Sequence, residues 1–576
     1  MSGLVLAAQE LPESSALAYR VVWEGMGDHP LLPLLQDRSR SVRLRQVPPA
    51  TRRQLELRMQ NDVPVLQDTL AAQGYFLAEV QGRVEDTETG VQIVFDCRPG
   101  PSVRIGHLKI VYPEGRIPRA SWSPVLKPGD PVNTMSILAA EQRALRFFRS
   151  VGHPFPVAGE REILIDPETA LAAVTFHFDP GPALRYGELS LAGADSVSGR
   201  FFRRQQLWTD RDWYDFRELE DFENDLIQSG LFSRVTVEPV AAQDAEAVDL
   251  RVTVTERHPR TVRLGADYRT DVGFGVNAAW EHRNAWGSGE RFQMRGLIAE
   301  KEQELETMLR LPGFKVRNQS LLLRAQGASA QTDAFESESM EGYLGVERAI
   351  SRTVTWRVGT GLRYADVEQG PVREEYGLVL LPLQMFRDST DDDLNPVRGS
   401  RWTAEVTPTT EVLAGDISYA RIQLSGSRYL QLRRRPQVIM AGRVTLGVLA
   451  GAEFGMIPAD ERYYSGGGGS VRGYVYQDIG PKVAGTPVGG TALAELVLET
   501  RIRLTEMLGF AFFVDGGQVT QSDLPLEETS MNWAAGMGLR LFTGFGPLRL
   551  DAAYPLNAEE SQVEDIQVYI SLGQAF

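Results

Sequence analysis

Beyond His258 the chain alternates. In TALAELVLETRIRL, starting at Thr491, one face carries Leu496, Leu498, Ile502 and Leu504 together with Thr500. The other carries Glu495, Glu499, Arg501 and Arg503, with Val497 the exception. A period of two marks an extended strand lying between an apolar and a wet surface. PLRLDAAY from Pro547 does the same, with Leu548, Leu550, Ala552 and Tyr554 set against Arg549 and Asp551. In DIQVYISLGQAF, Ile566, Val568, Ile570, Leu572 and Phe576 share a face up to the last residue. Turns such as NAWGSGE (284–290) and DDDLNPVRGS (391–400) separate the segments. Counted this way, 260–575 holds about 16 strands.

Two architectures fit such a series. A sandwich or propeller buries its apolar face, whereas a transmembrane barrel turns it outward to lipid and keeps a polar interior. Closure also removes sheet edges, which a bilayer does not tolerate. With a polar face on each strand and few helices, we favour the barrel over 258–576.

The first 257 residues read differently. Gly74, Gly152 and Gly230 recur every 78 residues, each after a helical pattern and before a strand. Leu70, Phe148 and Leu226 stand four residues before them. Fixed-period self-similarity means one structural unit used repeatedly, and a glycine after a helix stops it in a left-handed conformation. Pro-Gly-Pro at 99–101 and 180–182 marks the joints. The units run over 16–100, 101–181 and 182–257, each expected as a strand, two helices and two strands. Residues 1–15 read as a tail or the remnant of a secretory signal, with Ala8 near a cleavage site.

Composition narrows the function. A net charge of −16 argues against a nucleic-acid partner, which needs a basic face. Cys97 is the only cysteine. It lies in an apolar strand-like run and reads as a buried side chain rather than a nucleophile. No run of about 18 apolar residues exists, which speaks only to helices and not to strands that cross a membrane. The histidines are scattered, and neither a His-Glu-x-x-His motif, a Gly-x-Ser-x-Gly elbow nor a phosphate-binding loop is present. No enzymatic activity, metal or cofactor is expected.

One stretch remains: YYSGGGGSVRGYVYQDIGP, residues 463–481. Four glycines suit a linker, but a linker gains nothing from an adjacent arginine and tyrosines. Glycine also permits tight turns and close backbone approach. Ser470-Val471-Arg472-Gly473-Tyr474 resembles the loop-six signature of the outer-membrane protein assembly factor superfamily. FVDGG at Phe513, DDDLNPVRG at Asp391, GPLRLDAAYPL at Gly546 and the final strand resemble further signatures of that superfamily. The four-glycine run is richer than the usual pair. The repeats are similar to POTRA domains. Three of them lie between the two typical of two-partner secretion transporters and the five of the common bacterial assembly factor. They fit best the translocation-and-assembly-module branch.

The resemblance implies α+β POTRA-like repeats followed by a 16-stranded antiparallel transmembrane β-barrel in the bacterial outer membrane, with the repeats in the periplasm. It implies that loop 451–490 folds inward and that Arg472 meets Asp515, with Phe513 and Gly516 beside it. The first and last strands, about 260–270 and 566–575, would meet at a seam containing Tyr569, Gly573 and Phe576. Leu264 and Tyr569 are candidate facing positions there. Client outer-membrane β-proteins such as autotransporters would pass through the seam by strand pairing. The implied partners are those clients, outer-membrane lipids and an inner-membrane-anchored protein similar to TamB. A two-partner secretion transporter and a passive pore are the alternatives.

Overall fold

The computed structural model describes residues 17–572 except 89, 244–245, 270–272, 414, 416, 528–529, 545 and 559–565. The tail 1–15, and with it Ala8, lies outside the described residues, as do Gly573 and Phe576. Two compact units are present. One comprises the residues up to Ala192 with Leu207–Glu223 and Thr236–Val252; the other comprises Gly193–Gln206, Asn224–Val235 and Thr253 onward.

The three repeat glycines all adopt positive φ, at 96°, 107° and 74° for Gly74, Gly152 and Gly230. Leu70, Phe148 and Leu226, four residues earlier, are fully buried. The helix Arg52–Ala72 ends with the Tyr75 N–H bonded to the Leu70 carbonyl, and Thr134–Arg149 ends with His153 bonded to Phe148 in the same way. These six-to-one bonds close a helix through a left-handed glycine. The glycine carbonyl then accepts from the next repeat: Val103 N–H to Gly74 at 2.9 Å, Leu184 N–H to Gly152 at 2.8 Å. Gly74 and Gly152 therefore each end one helix and bond the strand that opens the following unit.

In the first repeat the sheet order is Tyr19–Glu24, Gly90–Arg98, Glu79–Thr87. Cys97 packs there with Ile93, Phe95, Leu66 and Leu70, and burial pushes its thiol up to about 11. The second repeat departs from expectation, because Thr134–Arg149 is its only helix. Pro113, Pro118, Pro124, Pro128 and Pro131 occupy the stretch where another was expected. Proline lacks the N–H a helix needs and biases the preceding residue toward extended backbone. In the third repeat the sheet order is Arg185–Ala192, Ala247–Glu256, Phe232–Ala241, with helices Gly199–Gln205 and Phe216–Gln228.

From Arg260 the strands form one closed antiparallel barrel. Each pairs with the next, except that Gln437–Ala450 pairs with Ala492–Arg503 across the long loop between them. The segments Val372–Leu380 and Leu383–Asp388 share both neighbours. Register is unchanged across Leu381-Pro382: Leu380 faces Gly361 and Leu383 faces Val358. Pro382 has no N–H for the ladder, so the strand is interrupted without being displaced. Met340, Leu362, Leu498 and Met537 are half exposed or more, while Glu499, Arg501, Asp515 and Asp551 are buried. The apolar face therefore points out and the charged face in, the arrangement of a barrel rather than a sandwich.

In the same unit, residues of the third repeat bond the first turns of the barrel. Ser198 N–H donates to the Gly287 carbonyl at 2.7 Å, Asn284 Nδ2 to the Ser196 carbonyl at 2.9 Å, and Arg317 pairs with Asp225 at 3.0 Å.

Candidate functional site

The connection 451–491 turns into the barrel and satisfies much of its backbone within itself. Tyr463 and Gly490 exchange N–H···O bonds of 3.0 and 2.9 Å, and Ile479 N–H donates to the Ser465 carbonyl at 3.0 Å. A buried loop needs such internal partners, since its polar groups have no water to meet. Gly466 and Gly467 take positive φ, 111° and 96°. A side chain on Gly466 would overlap the Val475 carbonyl. The tetraglycine is thus the turn that brings the chain back on itself, not a linker.

Arg472 lies at the end of that turn and is 2% exposed. Its Nε donates to Asp515 Oδ2 at 2.7 Å and its Nη2 to Asp515 Oδ1 at 2.9 Å, a two-pronged pair. The Arg472 backbone N–H adds a bond to Asp515 Oδ2 at 3.1 Å. Nη1 reaches Glu499 at 2.8 Å and Asp551 at 3.2 Å. The guanidinium carbon stands 3.4 Å from the centre of the Phe513 ring, on the ring face that attracts cations. A rigid planar fork suits this arrangement as a lysine ammonium does not.

Around it the network extends. Arg501 Nε bonds Glu499 at 2.7 Å, Arg540 bonds Asp551, and Arg549 lies 3.4 Å from Asp551. Four guanidinium groups thus face Glu499, Asp515 and Asp551, and Glu495 adds a carboxylate held by Ser465 Oγ at 2.8 Å and by Ser470 Oγ. Gly538 leaves room for the Arg540–Asp551 pair, because a Cβ there would overlap both. A buried charge network is stable only when its members satisfy one another. This one holds the loop in place.

The other motif residues take distinct places. Val471 and Tyr474 pack with Ile479 and Ala534. Tyr474 OH donates to the Asn557 side chain at 3.2 Å. Gly473 has φ 100°, and a Cβ on it would come 2.9 Å from Ala534 Cβ. Its N–H donates to the Tyr569 hydroxyl at 3.1 Å. Gly516 does not join Arg472: it lies on the opposite face of its strand from Asp515, where its missing side chain admits the Trp533 ring. Gly517 is the glycine on the loop side, leaving space for Val471 and Ser465. Leu264 and Tyr569 are not facing positions. The seam pairs Tyr569 with Arg269 and Ile570 with Tyr268.

The sequence reading missed a second attachment. Arg363, on the strand Val354–Gln369, bonds Asp460 Oδ2 at 2.5 Å and also Glu461. Arg421 Nη1 donates to the Glu461 carbonyl at 2.9 Å and its guanidinium lies over the Tyr463 ring at 4.4 Å. Tyr476 OH bonds Glu302 on a further strand. In the strand order, Val354–Gln369 is far around the wall from the strands that hold Arg472, so the loop spans the bore. Asp460-Glu461 followed by Arg462 was the available signal: adjacent charges in an otherwise Gly/Tyr-rich loop.

A closed barrel with an inward loop held by an arginine lock, preceded by α+β repeats, defines a class of membrane-barrel protein. Residues 284–576 match the Omp85 superfamily domain, and the chain belongs to that superfamily. It is similar to "Outer membrane protein assembly factor BamA" of Nitratidesulfovibrio vulgaris, 22% identical over 526 residues that cover 87% of this chain. The match spans 66% of that relative's length. Among solved structures, BamA from Haemophilus ducreyi lacking POTRA domains 1-3 superposes with a TM-score of 0.67 at 16% identity, over 81% of this chain and 99% of that one. CdiB from Acinetobacter baumannii gives 0.51 at 13% identity, over 82% and 90%.

Proposed function

We propose that this chain is an outer-membrane assembly factor that inserts or exports β-proteins through the seam of its barrel. With the interrupted strand counted once, we read the wall as sixteen strands, preceded by three POTRA-like units in the periplasm. It has no enzymatic role; clients fold through it by strand pairing. The three repeats favour a TamA-like protein, working with an inner-membrane-anchored partner similar to TamB on clients such as autotransporters. The outward apolar band and the relatives' outer-membrane names support the location.

The observation that carries this reading is the seam. Among the described residues, Arg260–Arg269 has ten registered partners on Gly273–His282 but two on Gln567–Leu572. Each net hydrogen bond contributes only about 0.5–1.5 kcal/mol in water, so an incoming strand can replace the bonds of the joint one at a time. The exposed N–H and C=O groups of a parted edge accept an incoming strand by β-augmentation. The test places cysteines at Tyr268 and Ile570. Oxidation should stop insertion of a client barrel into proteoliposomes, and reduction should restore it. Full insertion with the seam crosslinked overturns the reading.

A further inference from the structure

We propose that Tyr569 couples the inward loop to the seam, so that the seating of the loop holds the last strand closed. The inference rests on the seam reading above and names Tyr569 as a positioning residue.

Three contacts converge on this side chain. Tyr569 is fully buried, and its hydroxyl accepts the Gly473 N–H at 3.1 Å, directly beside Arg472 in sequence. Its ring packs with Phe513 and Ala553, and Phe513 is the ring beneath the Arg472 guanidinium. On the backbone, Tyr569 is, among the described residues, one of two in the last strand registered with the first strand, opposite Arg269. On its other side it faces Asp551, an Arg472 partner. The last strand is thus tied to the loop by a side chain at the very place where it meets the first strand.

The physical consequence is directional. While Arg472 is seated, Gly473 is held against the wall so closely that a Cβ would crowd Ala534 and the Tyr554 backbone. Its N–H then fixes the Tyr569 hydroxyl and with it the position of the strand Gln567–Leu572. When the loop moves, Gly473 leaves and the strand loses that anchor. Phenylalanine would keep the ring packing and remove the hydroxyl that holds Gly473.

The test uses the full chain in lipid vesicles with Cys97 replaced by serine. Cysteines at Tyr268 and Ile570 report seam closure through the extent of disulfide formation under mild oxidation. A second pair at Leu424 and Leu446, facing positions far from the seam, reports general loosening. Tyr569→Phe should lower the closed-to-open ratio at the seam roughly 2- to 10-fold, the worth of one net hydrogen bond, and leave the control pair unchanged. Arg472→Ala should act in the same direction, and the double variant should be no worse than Arg472→Ala alone. Should Arg472→Ala fail to form a heat-resistant barrel, Asp515→Asn takes its place. An unchanged seam in Tyr569→Phe overturns the coupling, and so do effects that multiply independently or an equal shift in the control pair. Client insertion is not read in this experiment, so the coupling and the insertion function stand or fall separately.

Discussion

Arg472 is buried among three carboxylates, and this governs what its replacement does. Removing one partner of a buried ionic group strands the others, at a cost of about 3–5 kcal/mol. Arg472→Ala should therefore lower the unfolding free energy of the barrel by about that amount, read from urea titration in lipid vesicles. Asp515→Ala should cost a similar amount, and the double variant clearly less than the sum, because both remove the same bonds. Strict additivity would contradict the direct pair seen in the structure. Gly536 makes a steric counterpart: a Cβ there would overlap the Phe513 ring and the Ala552 carbonyl. Gly536→Ala should displace Phe513 from beneath Arg472 and cost about 1–3 kcal/mol, as overpacking does, measured by the same titration. Asp515 was within reach of the sequence because the FVDGG stretch resembles the motif that receives the arginine, with parity putting it on the same face as Phe513. Glu499 and Asp551 were visible as inward charges, but nothing in one strand says which loop residue it will meet across the bore. Gly516 was misplaced for the converse reason: motif adjacency does not respect the period of two, which sends neighbours to opposite faces.

Among the elements, the repeat helices show how local chemistry sets a joint. His153 follows the Gly152 stop and uses both ring nitrogens. Nε2 accepts the Arg119 backbone N–H at 3.2 Å and Nδ1 lies 3.0 Å from the Gly181 carbonyl. That pattern requires the neutral ring. Burial, with Arg119 nearby, moves its pKa below the ordinary value, against the pull of the Gly181 carbonyl. The unfolded chain then binds more protons than the folded one, so stability is present above the unfolded value of about 6.5 and declines as pH falls below it. Protection factors of Thr134–Arg149 in the full chain, normalised for the slower intrinsic amide exchange at low pH, should fall from pH 7 to pH 5.5, and His153→Gln should flatten that dependence. The glycine spacing made the helix ends legible, because a left-handed residue has few substitutes. The missing helix in the second repeat had a signal too, five prolines from 113 to 131, which the repeat pattern passed over. The strand interruption at Pro382 left a signal in the sequence, yet its unchanged register is a property of the two neighbours and not of the segment itself.

For the molecule as a whole, the alternation of apolar and charged residues made strands with one wet and one oily face legible, and the barrel was favoured over a sandwich because closure removes sheet edges. Leu424 lies mid-strand on the outward face. Leu424→Arg should destabilise the barrel by about 2–4 kcal/mol if that position sits at the bilayer midplane, measured by folding into vesicles; a neutral result would place the oily band elsewhere. The path of the loop was only half legible, because Arg472 announced itself by motif whereas Arg363, Asp460 and Glu461 are ordinary surface-type residues until the fold brings them together. Their meeting has a mechanical consequence. A hoop with a spoke across its diameter does not dilate evenly: strain applied to the rim is carried by the ionic ends of the spoke and concentrates at the weakest joint, so the ring yields by unzipping at one place rather than by swelling all round.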